Sequence, residues 1–269
     1  MERADDGPEV SGELLFVTAP VSRCGTTLVQ RLLNSDPGVL VFGEGVGAAL
    51  VELARALQEQ ARAHLPRAET YRRDLERALA GEQFWCPHLL GDARGFVELF
   101  ASALERFVEH HAAEARAHGR ARFGAKLPTV SPEELRDLRR SLPGARVIYV
   151  TRGLLAAARS AKARRFLDTP ESYATFARLW RSGMQAADEL GREPDVLVLR
   201  YESLVGESER VLAELAAFAG VRALDPAVLR ARVNTWSGPP EKGHAPDQRL
   251  APGDLSPRER EILLSGAVE

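Results

Sequence analysis

Four short apolar runs stand far apart along the chain: Leu14 to Val17, Val39 to Phe42, Val147 to Val150 and Val196 to Leu199. Each is bounded by Gly, Pro or charged residues and shows no polar alternation, which predicts strands buried on both faces. Longer segments between them repeat their apolar positions with helical period: Thr26 to Asn34, Val46 to Ala63, Gly95 to His118, Ser172 to Leu190 and Glu209 to Ala219. Strands alternating with helices predict an α/β fold with a central parallel sheet flanked by helices, because parallel neighbours need a crossover. A further short strand, Arg122 to Leu127, is expected from its position alone.

Helix starts are well marked. Ser131-Pro132-Glu133-Glu134 and Ser256-Pro257-Arg258-Glu259 each supply a capping hydroxyl, proline at the first helical position and glutamate at the third. Thr169-Pro170 and Asp225-Pro226 repeat the cap and proline, and Gly119, Gly191 and Gly220 are the matching stops. No repeat or linker divides the chain. Residues 1–12 read as a loose acidic tail and 13–269 as one domain, with 45–120 a nearly all-helical insertion.

Composition then removes several function classes. The 269 residues are 45% apolar, enough to fill a core, and 36 Lys plus Arg against 38 Asp plus Glu leave a formal charge of −2. No bulk pull toward nucleic acid or an anionic membrane is expected, so any basic site must be local. The tail lacks a secretory pattern and no run is long enough to span a bilayer, which makes a cytoplasmic setting the expectation. Cys24 and Cys86 form no CxxC or Cys/His cluster, so no metal is expected. Lysine occurs only at Lys126, Lys162 and Lys242 in an arginine-rich chain.

The segment carrying most chemistry is Ala19-Pro20-Val21-Ser22-Arg23-Cys24-Gly25-Thr26-Thr27, between the first strand and an amphipathic helix. Such a turn aims backbone N–H groups and the positive end of a helix dipole at one point, and the hydroxyls of Thr26 and Thr27 add donors. It is an anion cradle. Pro20 and Thr26 stand where a nucleoside-triphosphate loop has glycine and lysine, which disfavours a kinase.

Arg23-Cys24-Gly25-Thr26-Thr27 resembles the 5′-phosphosulfate loop of sulfotransferases that use 3′-phosphoadenosine 5′-phosphosulfate (PAPS), with Cys24 in place of the usual serine and one extra residue after Pro20. Val147 to Arg152 followed by Ser160 resembles the family's 3′-phosphate element. Arg200-Tyr201-Glu202-Ser203-Leu204 with Phe218-Ala219-Gly220 resembles a strand and helix whose tyrosine lies near the adenosine, although a packing tyrosine fits Tyr201 as well. Ala125-Lys126-Leu127-Pro128 matches the segment whose lysine reaches the transferring group. The tail from Asn234 resembles a closing segment, residues 234–255, in which Lys242-Gly243 stands near the 3′-phosphate but Glu241 replaces an arginine.

The resemblance implies a P-loop NTPase-like sulfotransferase fold, PAPS as donor and 3′-phosphoadenosine 5′-phosphate (PAP) as product, with no metal. Arg23, Cys24, Gly25, Thr26, Thr27, Arg152, Ser160, Tyr201, Lys242 and Gly243 would hold the nucleotide, and Arg23 and Lys126 would stabilise the transfer. The histidine that serves some members as base is replaced by Pro128. Ser35 to Glu44 instead resembles the segment of carboxylate-base members, which makes Glu44 the candidate base; a first-turn helix carboxylate fits it equally on local grounds. His88 and His244 are reserve bases, and Trp85 and His88 candidate acceptor contacts. His110, His111 and His118 are expected on a solvated helix face. The acceptor is expected to be a small hydroxylated metabolite, with no nucleic-acid or membrane partner and a homodimer as the default. The rival readings are a non-catalytic nucleotide binder and a small-molecule kinase with a degenerate loop.

Overall fold

The computed structural model describes residues 14–230 and 254–266. Five strands form one sheet: β1 Leu14–Thr18, β2 Val39–Phe42, β3 Arg122–Lys126, β4 Arg146–Thr151 and β5 Val196–Arg200. All pairings are parallel, in the order β2-β3-β1-β4-β5. The four apolar runs and the strand expected from position alone are all present.

Alternation along β1 shows how the core is shared. Leu15 and Val17 face one side of the sheet and Leu14 and Phe16 the other, and none is more than 2% exposed. The helices are α1 Thr26–Leu33, α2 Glu44–His64, α3 Ala68–Leu79, α4 Ala93–Ala117, α5 Pro132–Ser141, α6 Leu154–Lys162, α7 Pro170–Leu190, α8 Tyr201–Gly206, α9 Ser208–Ala219, α10 Ala227–Arg230 and α11 Pro257–Ser265. Val29 and Leu32 of α1, Ala157 and Ala161 of α6, Leu215 of α9 and Leu263 of α11 cover the Leu15 face. Leu50 and Val51 of α2, Leu104 and Val108 of α4 and Leu135 and Leu138 of α5 cover the Phe16 face. Each such leucine contributes on the order of 1.5–3 kcal/mol by leaving water.

The capping expectations resolve individually. Ser131 and Ser256 form complete capping boxes with Glu134 and Glu259, and Thr169 forms one with Ser172. Asp225 accepts from the Ala227 amide. Gly119 and Gly220 stop their helices at positive φ, whereas Gly191 stays right-handed. Helix α2 begins at Glu44, two residues before the periodic pattern, because extended Gly43 already offers its carbonyl to the Gly47 amide at 3.2 Å. Residues 1–12, the tail from Asn234 to residue 253, and with it Lys242, Gly243 and His244, lie outside the described residues.

Helix α11 is tied to α6 and α7 by charge and hydrogen bonding. The Lys162 ammonium donates to Glu259 Oε2 at 2.7 Å and to the Asp254 carbonyl at 2.7 Å, and the Tyr173 hydroxyl donates to Glu259 Oε1 at 2.9 Å. Burial alone would raise the Glu259 pKa, but the hydrogen bonds from Lys162, Ser256 and Tyr173 carry it down from 4.5 to about 2. A depressed carboxylate stabilises the fold above its unfolded pKa and loses that contribution as pH falls toward the folded value. Glu259→Gln is therefore expected to cost roughly 1–3 kcal/mol at pH 7 in urea unfolding. The gap to the parent should close between about pH 4.5 and 2. A gap that stays constant to pH 2 would contradict the assignment.

Candidate active site

Because all strands run one way, their carboxyl ends share one edge, and every strand delivers a candidate residue there. The loop of residues 19–25 follows β1, Glu44 follows β2, Lys126 ends β3, Arg152 follows β4 and Tyr201 follows β5. Strand β1 lies between β3 and β4, so Lys126 and Arg152 flank the loop from opposite sides.

The loop is bent tightly. Arg23 has φ 72° and Gly25 φ 108°, and Gly25 caps α1 with no side chain, leaving first-turn amides for another acceptor. Left-handed backbone costs a non-glycine residue about 1–2 kcal/mol. The conformation at Arg23 is held by Arg152, whose Nη1 donates to the Arg23 carbonyl at 3.0 Å. Cys24 is fully buried in the core, and burial pushes its thiol up to about 12, so only its backbone can face an anion. Thr26 is also buried, while Thr27 Oγ1 accepts from the Lys126 ammonium at 3.4 Å.

Cations crowd the other side of the loop. Arg23 Nε donates to Ser160 Oγ at 3.2 Å. Ser160 is the seventh residue of α6, beyond its first turn, and there it serves the Arg23 side chain. Burial, then repulsion from Arg164 and Arg152, holds the Arg23 guanidinium below its ordinary pKa against the opposing pull of Glu44 and Tyr201. Arg152 lies 4.2 Å over the Tyr201 ring, and its carbonyl accepts from Trp180 Nε1 at 2.8 Å. Arg152 Nε and Arg159 Nε are buried without a hydrogen-bond partner among the described residues. Like charges gathered around unmet donors are what an anion would satisfy.

Across the loop stands an ion pair of unequal exposure. Lys126 Nζ lies 2.5 Å from Glu44 Oε1, with the lysine side chain 6% exposed and the glutamate 58%. A buried ammonium thus spans Thr27 and a carboxylate open to solvent. Glu44 is the first residue of α2, so it lies in a helical first turn and in the site at once. Helix α2 comes this close because Gly47 packs on the Lys126 carbonyl, where an added Cβ would sit 2.5 Å from the oxygen.

Trp85 and His88 follow no strand; they lie between α3 and α4. Trp85 is 87% exposed and His88 exposed, and their segment packs on α3, with Arg77 4.0 Å from the Phe84 ring centroid and Cys86 facing Asp74. His64 at the far end of α2 contacts Tyr71 of α3 and Phe96 of α4, and α2 has 21 residues, so about 30 Å of helix separates that end from Glu44. His110 and His118 are exposed as expected, whereas His111 is half-buried between Phe42 and Phe107. Three contributors went unread in the sequence: Glu202, which accepts from the Gly153 amide at 2.9 Å, Trp180 and Arg164. Glu202 directly follows Tyr201 in the chain, whereas Trp180 carries no local signal.

Among the described residues no group of three or more metal-ligating side chains occurs, and no helix is long and apolar enough to cross a membrane. The Sulfotransferase family model matches residues 16–226. The chain is similar to the sulfotransferase domain from the Synechococcus PCC 7002 olefin synthase, with TM-score 0.55 and 21% identity over 100% of this chain and 99% of that one. It is also similar to the sulfotransferase domain from the curacin biosynthetic pathway, with TM-score 0.53 and 18% identity over 94% and 97%. These likenesses make the fold that of sulfotransferase domains, a parallel sheet flanked by helices. No curated protein sequence matches the chain.

Two outcomes follow from this geometry. Gly47→Ala should destabilise the protein by about 1–3 kcal/mol in urea unfolding. Gly45→Ala, with nothing within 4 Å of the added methyl, should be neutral or stabilising. Pyrophosphate at about ten times its Kd should add roughly 1.4 kcal/mol to the parent's stability, raising its thermal midpoint. Arg23→Ala should show a smaller rise at the same concentration.

Proposed function

We propose, from the premise that this chain belongs to the sulfotransferase family, that it moves a sulfuryl group from PAPS to a hydroxyl, or an amine, of a small acceptor, with Glu44 as the base. The observation that carries the reading is the juxtaposition, around one bent loop, of the Arg23–Arg152 cluster on one side and the Lys126–Glu44 pair on the other. The unmet Arg152 Nε, the uncapped amides of α1 and the repulsion among the arginines fit a nucleotide bearing phosphates at two positions. When bound, PAPS supplies the activated sulfuryl group and leaves as PAP.

The chain's own residues then divide the work. Gly25, Thr26 and Thr27 present loop and helix amides to the 5′-phosphosulfate, while Arg152, Ser160 and Tyr201 face the other end of the nucleotide. Arg23 and Lys126 are fixed cations that stabilise charge building on the bridging oxygen, the task a metal performs in phosphoryl transfer. Glu44 is exposed to the solvent side from which an acceptor arrives, and it takes the proton from the attacking hydroxyl. Lys126 touches both Thr27 and Glu44, so one ammonium links the donor loop to the base. Free Cys24 and Cys86 support a reducing, cytoplasmic setting.

The direct test is transfer of labelled sulfate from PAPS to a panel of small alcohols, phenols and amines, with PAP binding followed by calorimetry. Arg23→Ala and Lys126→Ala are expected to lower kcat by about 100-fold or more. Glu44→Gln should lower it by about 100- to 10,000-fold with PAP affinity nearly unchanged. Full turnover in Glu44→Gln would remove the glutamate from the mechanism. Absence of any heat with PAP would overturn the donor assignment.

A further inference from the structure

Besides facing the proposed nucleotide, Tyr201 makes contacts within the protein that join two turns of the site. It follows β5, yet its ring reaches across the end of β4 to the loop after β1. A Cβ added at Gly25 would meet ring atoms Cδ2 and Cε2 at 2.5 and 3.1 Å, so the ring edge fills the space a side chain would take. The Arg152 guanidinium lies over the same ring at 4.2 Å and holds the carbonyl of strained Arg23. The next residue, Glu202, accepts from the amide of Gly153, which follows Arg152. One dipeptide at the start of α8 therefore touches both turns that the anion site is made from.

We propose that Tyr201 is a positioning residue whose ring, wedged between Gly25 and Arg152, locks the loop of residues 19–25 to the β4 turn before any ligand arrives. The loop carries two left-handed residues, Arg23 and Gly25, and such backbone persists only where its surroundings hold it. Removing the ring takes the support from Gly25 and from the face of Arg152 together, and Arg152 in turn releases Arg23. Glu202 keeps the other half of the clasp through Gly153. The ring, not the phenol hydroxyl, does this, so phenylalanine substitutes for tyrosine.

The nucleotide part of the test rests on the proposed donor, whereas hydrogen exchange of the ligand-free protein does not. In Tyr201→Leu the amides of residues 19–27 are expected to exchange at least about tenfold faster than in the parent, with amides of α9 unchanged, and Tyr201→Phe should stay within about twofold. Arg152→Met, which removes the guanidinium and keeps an apolar stem, should free the same amides if Tyr201→Leu fails to fold. Unchanged exchange in the folded variants overturns the brace. In calorimetry with the adenosine and uridine 3′,5′-bisphosphates, Tyr201→Leu should weaken both by the same factor, about tenfold or more. A loss confined to the adenosine compound would make Tyr201 a base contact and overturn the proposal. If the parent binds neither bisphosphate, the donor assignment fails and the exchange result alone decides the brace.

Discussion

A sheet whose strands all run one way must return the chain over its faces after each strand, and it collects five carboxyl ends on one edge. That constraint governs this molecule. The returning helices bury both faces, so Leu15 and Val17 pack on one side while Leu14 and Phe16 pack on the other. The stability gained there supports a costly edge: a left-handed arginine, a buried lysine and arginines whose like charges repel. No single residue of that edge would hold its place without the strand behind it.

The edge is divided electrostatically. On the β4 side, Arg23 and Arg152 accumulate positive charge with donors left unmet; on the β2 side, Lys126 is compensated by Glu44. The first half suits an anion from outside, and the second supplies its own. The proposed transfer uses that division, since uncompensated arginines attract the donor's anions while Lys126, in contact with both Thr27 and Glu44, joins the donor loop to the base. Strand order produces it, because β1 lies between β3 and β4 and its loop borders both halves.

Much of this was legible in the chain because the signals are local. Apolar runs mark buried strands, and Ser131 and Ser256 announce helices through chemistry complete within four residues. The strand–loop–helix around Gly25 was legible for the same reason. What needed three dimensions was whatever depends on where helices cross. The start of α2 at Glu44 turns on Gly43 being extended, and the service of Ser160 to Arg23 joins residues 137 positions apart. The packing of the Phe84–Cys86 segment on α3 likewise depends on where a helix runs, which periodicity does not report. The sequence leaves Tyr201 open as a nucleotide neighbour or a packing residue, and its contact with Gly25 is a packing contact.

The indole of Trp180 donates to the carbonyl of Arg152, while Trp85 stands in solvent between α3 and α4. The molecule thereby carries its own optical gauge. Emission from Trp180 is coupled through one hydrogen bond to the arginine that stacks on Tyr201, and Trp85 can be silenced by a soluble collisional quencher that the half-buried indole resists. Occupancy of the arginine cluster is then readable as a colour change, without a label, once the third tryptophan, Trp236, is replaced by phenylalanine.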